Sequence, residues 1–158
     1  MTAKDALLAR LQPLFDTEIA VGEWLTIDQA RIDAFAAATG DRQWIHIDPE
    51  RARRESPYGT TVAHGFLTLA LLPFLTGSNS PEYLQQHFPG MRLRVNYGLN
   101  RLRFPAPVKC GARIRARTTL LTATPLEPGL EVLYRFAVEI DGEDKPALVA
   151  EQVVRIFP

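Results

Sequence analysis

The sequence has a single cysteine among its 158 residues. Cys110 has no partner for an internal disulfide, and so little cysteine suits a reducing compartment. Net charge is also missing, because 18 Lys and Arg balance 18 Asp and Glu. That balance removes the basic footprint that nucleic-acid binding requires. The longest largely apolar stretch, residues 66–75, falls well short of the roughly 20 residues that span a bilayer. The opening Met1-Thr2-Ala3-Lys4-Asp5 holds no signal-peptide core. No Cys/His cluster has metal-ligand spacing, and no glycine-rich nucleotide loop occurs. These absences predict a cytoplasmic protein with no metal, no other cofactor, no nucleic acid and no membrane among its partners.

What is present is an ordinary globular balance, 46% hydrophobic and 23% charged residues, enough for one sizeable core. No repeat, low-complexity tract or linker divides the chain, so one domain over residues 1–158 is expected. The first half reads as helical. Leu7, Leu8 and Leu11 give a short helix that ends before Pro13, and residues 19–25 give a brief extended piece. Thr26 with Gln29 three positions on fits a capping box. The helix after it buries Ile32, Phe35, Ala36 and Thr39 and stops at Gly40. Asp48-Pro49 starts another helix over residues 49–55, and residues 56–61, with Pro57 and Gly59, form a loop. Residues 65–75 carry apolar side chains all round, which predicts a helix buried on every side, with Pro73 kinking or ending it. Residues 76–90 read as loop with one helical turn at most.

From Met91 the period changes from helical to alternating. Met91, Leu93, Val95, Tyr97 and Leu99 share a face, then Leu102 and Phe104 fall on the other, a slip that predicts a bulge at residues 98–100. Further strands follow over residues 114–120, 132–140 and 147–157, with Asp141-Gly142 as a turn. Helices followed by long antiparallel strands make an α+β layout. A wholly apolar helix needs a sheet wrapped round it, which is the hot-dog arrangement.

Residues 39–75 concentrate the chemistry. Asp41 and His46 sit five residues apart in a segment that does not read as helical, held between Gly40 and the Asp48-Pro49 start signal. His64-Gly65 precedes the apolar helix, whose first N–H groups can receive negative charge.

Phe35-Ala36-Ala37-Ala38-Thr39-Gly40-Asp41, then Trp44-Ile45-His46-Ile47-Asp48-Pro49, then Ala63-His64-Gly65-Phe66 resemble the hydratase-2 motif of MaoC-like dehydratases, the (R)-specific enoyl-CoA hydratases. Asn96-Tyr97-Gly98-Leu99-Asn100-Arg101 and Arg103-Phe104-Pro105-Ala106-Pro107-Val108 are similar to that family's strand segment. The likeness covers roughly residues 25–108 well and the remaining strands in pattern only. It implies a hot-dog fold, usually dimeric, that adds water reversibly across the 2,3 double bond of an acyl-CoA thioester. It assigns the catalytic Asp and His to Asp41 and His46, and the N–H that binds the thioester oxygen to Gly65.

Such a reaction needs a base for the water that attacks C3, an acid for C2 and a donor for the enolate-like oxygen. Asp41 and His46 can share one water, and which of them is the base stays open. Asn96, Arg101 and Arg103 are the candidate substrate-binding residues, near the bulge. Each choice has a plainer alternative. Asp41 can be a polar residue after a helix cap, His46 a satisfied core histidine between Ile45 and Ile47, and Gly65 a concession to close packing. His64 reads as structural, His87 as solvated, and Arg113, Arg115 and Arg117 as a solvated sheet face. Two other functions compete. A hot-dog thioesterase often carries a carboxylate on the central helix, and residues 65–75 have none. A non-catalytic acyl-thioester-binding protein has no need of the Asp41/His46/Gly65 set.

Overall fold

The structure is a computed structural model and describes residues 2–158. Helix α1 (Ala3–Leu11) is capped by Thr2 and buries Leu7 and Leu11. A 3-10 turn over Gln12–Leu14 leads into strand β1 (Thr17–Val21), and β2 (Leu25–Thr26) follows. Then come α2 (Gln29–Thr39), α3 (Trp44–Ile47), α4 (Pro49–Glu55), α5 (Gly65–Ala70), α6 (Leu72–Thr76) and α7 (Pro81–His87). Four long strands complete the chain: β3 (Leu93–Arg103), β4 (Arg113–Pro125), β5 (Leu130–Ile140) and β6 (Leu148–Phe157).

All strands belong to one antiparallel sheet in the order β1-β4-β5-β6-β3, with β2 also paired to β4. Strands β4, β5 and β6 alternate as their sequences require. Ile114, Ala116 and Leu120, then Val132, Phe136 and Val138, then Leu148, Ala150 and Ile156 point into the core. Against that face lie Leu67 of α5, Leu71, and Leu72 and Leu75 of α6. Each such leucine contributes about 1.5–3 kcal/mol by leaving water, which seats the short central helices firmly on the sheet. The α+β hot-dog architecture is thus as the sequence implies.

Several elements differ from the sequence reading. The cap of α2 is Asp28, whose carboxylate accepts from Arg31 N–H at 2.9 Å, not Thr26. The segment between Asp41 and Asp48 is not wholly irregular, because residues 44–47 close one helical turn. The central helix is two pieces, broken at Leu71, where Pro73 cannot donate a backbone hydrogen bond. Nor is it buried on all sides: Phe66 is 64% exposed and Phe74 63%. Two turns of helix, capped by Ser80 with Pro81 following, replace the expected loop around residues 81–87. The slip in β3 consists of two irregularities, between Asn96 and Gly98 and between Leu99 and Arg101.

Candidate active site

Three chain segments converge at the start of α5. Gly40 ends α2 in the left-handed conformation (φ 79°), with its N–H on Ala36 O at 2.9 Å. Glycine takes that conformation without strain, and Asp41 follows at once with an exposed side chain. His46 lies in α3 and is buried. Val62 ties this turn down from both sides: its N–H donates to Ile45 O at 3.0 Å, and its carbonyl meets His46 Nδ1 at 2.6 Å. His64, buried, occupies the N-cap of α5 and donates from Nε2 to Asp41 O at 2.9 Å. The two imidazoles stack with centroids 3.8 Å apart.

The Val62 carbonyl can only accept, so His46 Nδ1 carries a proton and a neutral ring presents its Nε2 lone pair. Burial lowers the His46 pKa, and the neighbouring His64 lowers it further, against the raising effects of the Val62 hydrogen bond and the Asp41 charge. The ring is therefore neutral at pH 7. His64 is committed at Nε2, and its buried Nδ1 has no partner among the described residues. One donor atom from each of Asp41, His46 and His64 lies within 4.8 Å of the others, a set able to share one water or to hold a cation. At α5 no side chain among the described residues caps the first N–H groups, and while that of Leu67 donates to His64 O, those of Gly65 and Phe66, at the helix start, can receive an anionic oxygen.

A family model described as the MaoC like domain matches residues 11–127. The chain belongs to the MaoC-like dehydratase family. It is 47% identical over 139 residues to 3-hydroxyacyl-thioester dehydratase Z of Mycobacterium tuberculosis, covering 87% of each chain. It is 42% identical over 147 residues to nodulation protein N of Rhizobium meliloti, covering 92% of this chain and 88% of that one. Among solved structures, the (R)-hydratase of A. caviae involved in PHA biosynthesis superposes with a TM-score of 0.64 at 25% identity, over 89% of this chain and 98% of that one. Relatives named as dehydratases and hydratases make this chain a hydro-lyase by class.

In this MaoC-like dehydratase the fold brings Asp41 and His46 together with His64, which the sequence reading set aside as structural. Gly65 begins α5 beside them. A Cβ there would meet the Phe104 ring at 2.9 Å, so close packing alone already requires a small residue. The other candidates lie elsewhere. Asn96, on β3, accepts from Gln152 Nε2 at 3.0 Å and lines a groove along α5 and α6. Arg101 and Arg103 line an open groove of about 870 Å³ with Arg135 and Glu151, and none of Asp41, His46 or His64 is in its walls. The Arg row of β4 is not simply solvated: Arg113 pairs with Asp141, Arg115 with Glu139 at 2.6 Å, and Arg117 with Glu139 at 2.7 Å and Glu18 at 2.9 Å. His87, half-buried, packs on Tyr83 rather than standing in solvent.

One residue of the site escaped the sequence. Gln29 donates from Nε2 to His46 O at 2.7 Å and accepts at Oε1 from the buried Thr61 hydroxyl at 2.5 Å. It ties α2 to the turn that carries His46. Its signal in the sequence was spent on the capping box with Thr26, a role it does not play.

Proposed function

We propose that the chain catalyses reversible hydration of trans-2-enoyl thioesters to (R)-3-hydroxyacyl thioesters, with Asp41, His46 and Gly65 as the working groups. The observation that carries this reading is the neutral, tautomer-fixed His46 within water-bridging reach of Asp41 at an uncapped helix start. One water held between them attacks C3. Its proton passes to the Asp41/His46 pair as charge moves to the thioester oxygen, and C2 then takes a proton back from that pair as the charge collapses. Gly65 N–H receives that charge; losing a donor of this kind typically costs about 10²–10³ in rate. The reverse reaction expels water from the 3-hydroxyacyl thioester by the same groups.

Coenzyme A is the carrier we assign, with Arg101 and Arg103, which form no ion pair among the described residues, as the cations on β3 open to its phosphates. The β4 row is less suited, because its charges are already compensated. A homodimer paired at β3 completes the proposal. The thioesterase alternative lacks a carboxylate, since residues 65–76 contain no Asp or Glu. The test is the fall in crotonyl-CoA absorbance on adding the protein, with chiral analysis of the product. Formation of (R)-3-hydroxybutyryl-CoA supports the reading; the (S)-product, or free CoA without hydration, rejects it.

A further inference from the structure

Between α6, α7 and the sheet lies a partly open cavity of about 30 Å³, room for one or two water-sized groups. Its walls are mainly apolar, from Leu72, Pro73, Phe136 and Val154 among others, and Tyr83, Arg94, Thr118 and Tyr134 also reach it. Thr118 is 3% exposed, and its hydroxyl has no hydrogen-bond partner among the described residues. Native cores rarely leave such a group unmatched. Burial pushes the Tyr134 phenol far above the usual tyrosine range, and that of Tyr83 upward too, so both stay protonated as donors. Arg94 is half-buried and donates only to neutral groups, Ser78 Oγ at 3.0 Å and Asn79 Oδ1 at 2.5 Å. Within a mainly apolar lining the cavity thus holds an unmatched hydroxyl, two phenols and a cation, with no carboxylate among the described residues that line it.

The central helices run from the candidate active site, where α5 begins at Gly65, to the cavity, where Leu72, Pro73 and Thr76 of α6 form part of the wall. The cavity shares Leu72, Pro73, Asn96 and Gln152 with an open groove of about 290 Å³ that runs back past Leu69 and Ala70. A further groove of about 270 Å³ holds Gly65 and Thr68. Strand β3 and Phe104 just after it pass the same points in reverse order, with Phe104 against Gly65, Tyr97 to Leu99 beside Ala70, and Arg94 bonded to Ser78. Gly65 and Pro73 are eight residues apart, about 12 Å along helical backbone.

We propose that this cavity receives the distal end of the acyl chain and selects acyl groups that end in an acceptor oxygen, a carboxylate above all, over groups that end in methyl. The proposal rests on the enoyl-thioester reading of the site. A crotonyl group, with three C–C bonds of about 1.5 Å each, ends far short of the cavity. A chain of roughly ten carbons reaches it.

The experiment compares kcat/KM of the full chain for crotonyl-CoA, trans-2-decenoyl-CoA, 10-hydroxy-trans-2-decenoyl-CoA and the mono-CoA thioester of trans-2-decenedioic acid. The carboxylated substrate is expected to exceed the methyl-ended one by about 10-fold or more, with the hydroxylated one between. Thr118→Val and Arg94→Met, each checked for folding by circular dichroism, bring that ratio close to one. Methyl-ended decenoyl-CoA reacting as well as the oxygenated substrates overturns the inference, as does a ratio that neither variant moves. Calorimetric binding of decanoyl-CoA and of the mono-CoA thioester of decanedioic acid separates this outcome from failure of the activity itself. If no enoyl thioester is hydrated, the hydratase reading falls, and tighter binding of the carboxylated thioester, lost in Thr118→Val, still decides for the cavity; equal binding decides against it.

Discussion

His46 couples the site to pH. Burial lowers its pKa in the folded protein, so the unfolded chain, titrating near 6.5, binds the proton first as pH falls. Between the two values the unfolded state holds more protons, and stability therefore rises with pH across that window. His46 thus contributes nothing unfavourable above about pH 6.5 and destabilises progressively below it. Urea melts at pH 7.5 and 5.0 should show this loss, and His46→Gln should reduce the difference. Catalysis is expected to weaken on the acid side for the same reason, as Nε2 takes a proton. If Asp41 and His46 serve one water, Asp41→Asn and His46→Gln each lower turnover by at least about 10²-fold. The double variant is little worse than the poorer single one, because either change disables the same unit. An active Asp41→Asn variant contradicts the assignment. Gln29→Ala leaves the Thr61 hydroxyl and the His46 carbonyl without their partner and is expected to cost about 1–3 kcal/mol in chemical denaturation. Nothing local marked Gln29 for this, since its partners lie 17 and 32 residues away. His64 was hidden likewise: its contacts with His46 and Asp41 exist only after three segments fold together. Asp41 and His46 could be named as candidates because one short motif carries both.

Among the elements, those with a strong local period were readable and those decided by tertiary contact were not. Strands β4 to β6 alternate cleanly because one face meets the core helices. The stop at Gly40 and the start at Asp48-Pro49 are local chemistry, and both stand in the structure. Ser80-Pro81 carries the same kind of start signal, and α7 follows it, although the polar composition around it reads as loop. The sequence reading places the cap of α2 at Thr26, two residues before Asp28, whose extended backbone and carboxylate make the actual cap. The two can be told apart by measurement. Asp28→Ala is expected to lower stability by about 1 kcal/mol, the usual worth of such a cap, whereas Thr26→Ala should change it much less. Thermal melts of the two variants decide this, and a larger loss for Thr26→Ala would mean the capping box forms after all. The break at Leu71 follows from Pro73, yet the exposure of Phe66 and Phe74 could not be read from composition, because an apolar helix looks the same whether a sheet or a second molecule covers it.

At the scale of the whole molecule, the sheet ends on one side in an unprotected strand. β3 runs for 11 residues at the edge with Leu93, Val95, Tyr97 and Leu99 exposed. An edge of that length and character invites another strand, and its bulges do not cover it. Phe66 and Phe74 add two large exposed rings from the central helices. A second copy paired antiparallel at β3 through a two-fold axis, the commonest closed arrangement, is expected to cover that edge, and the exposed rings are expected to lie in the same interface. Sedimentation equilibrium at micromolar concentration is therefore expected to give a species near twice 17.7 kDa. Leu99→Lys places a charge on the edge, and Phe74→Glu places one on the exposed helical ring; each should shift the equilibrium toward the monomer while circular dichroism keeps its folded shape. Wild-type protein sedimenting only near 17.7 kDa would remove the dimer, and the exposed rings would then need another partner. If the dimer forms and neither substitution loosens it, the contact lies elsewhere and β3 is not the edge that pairs.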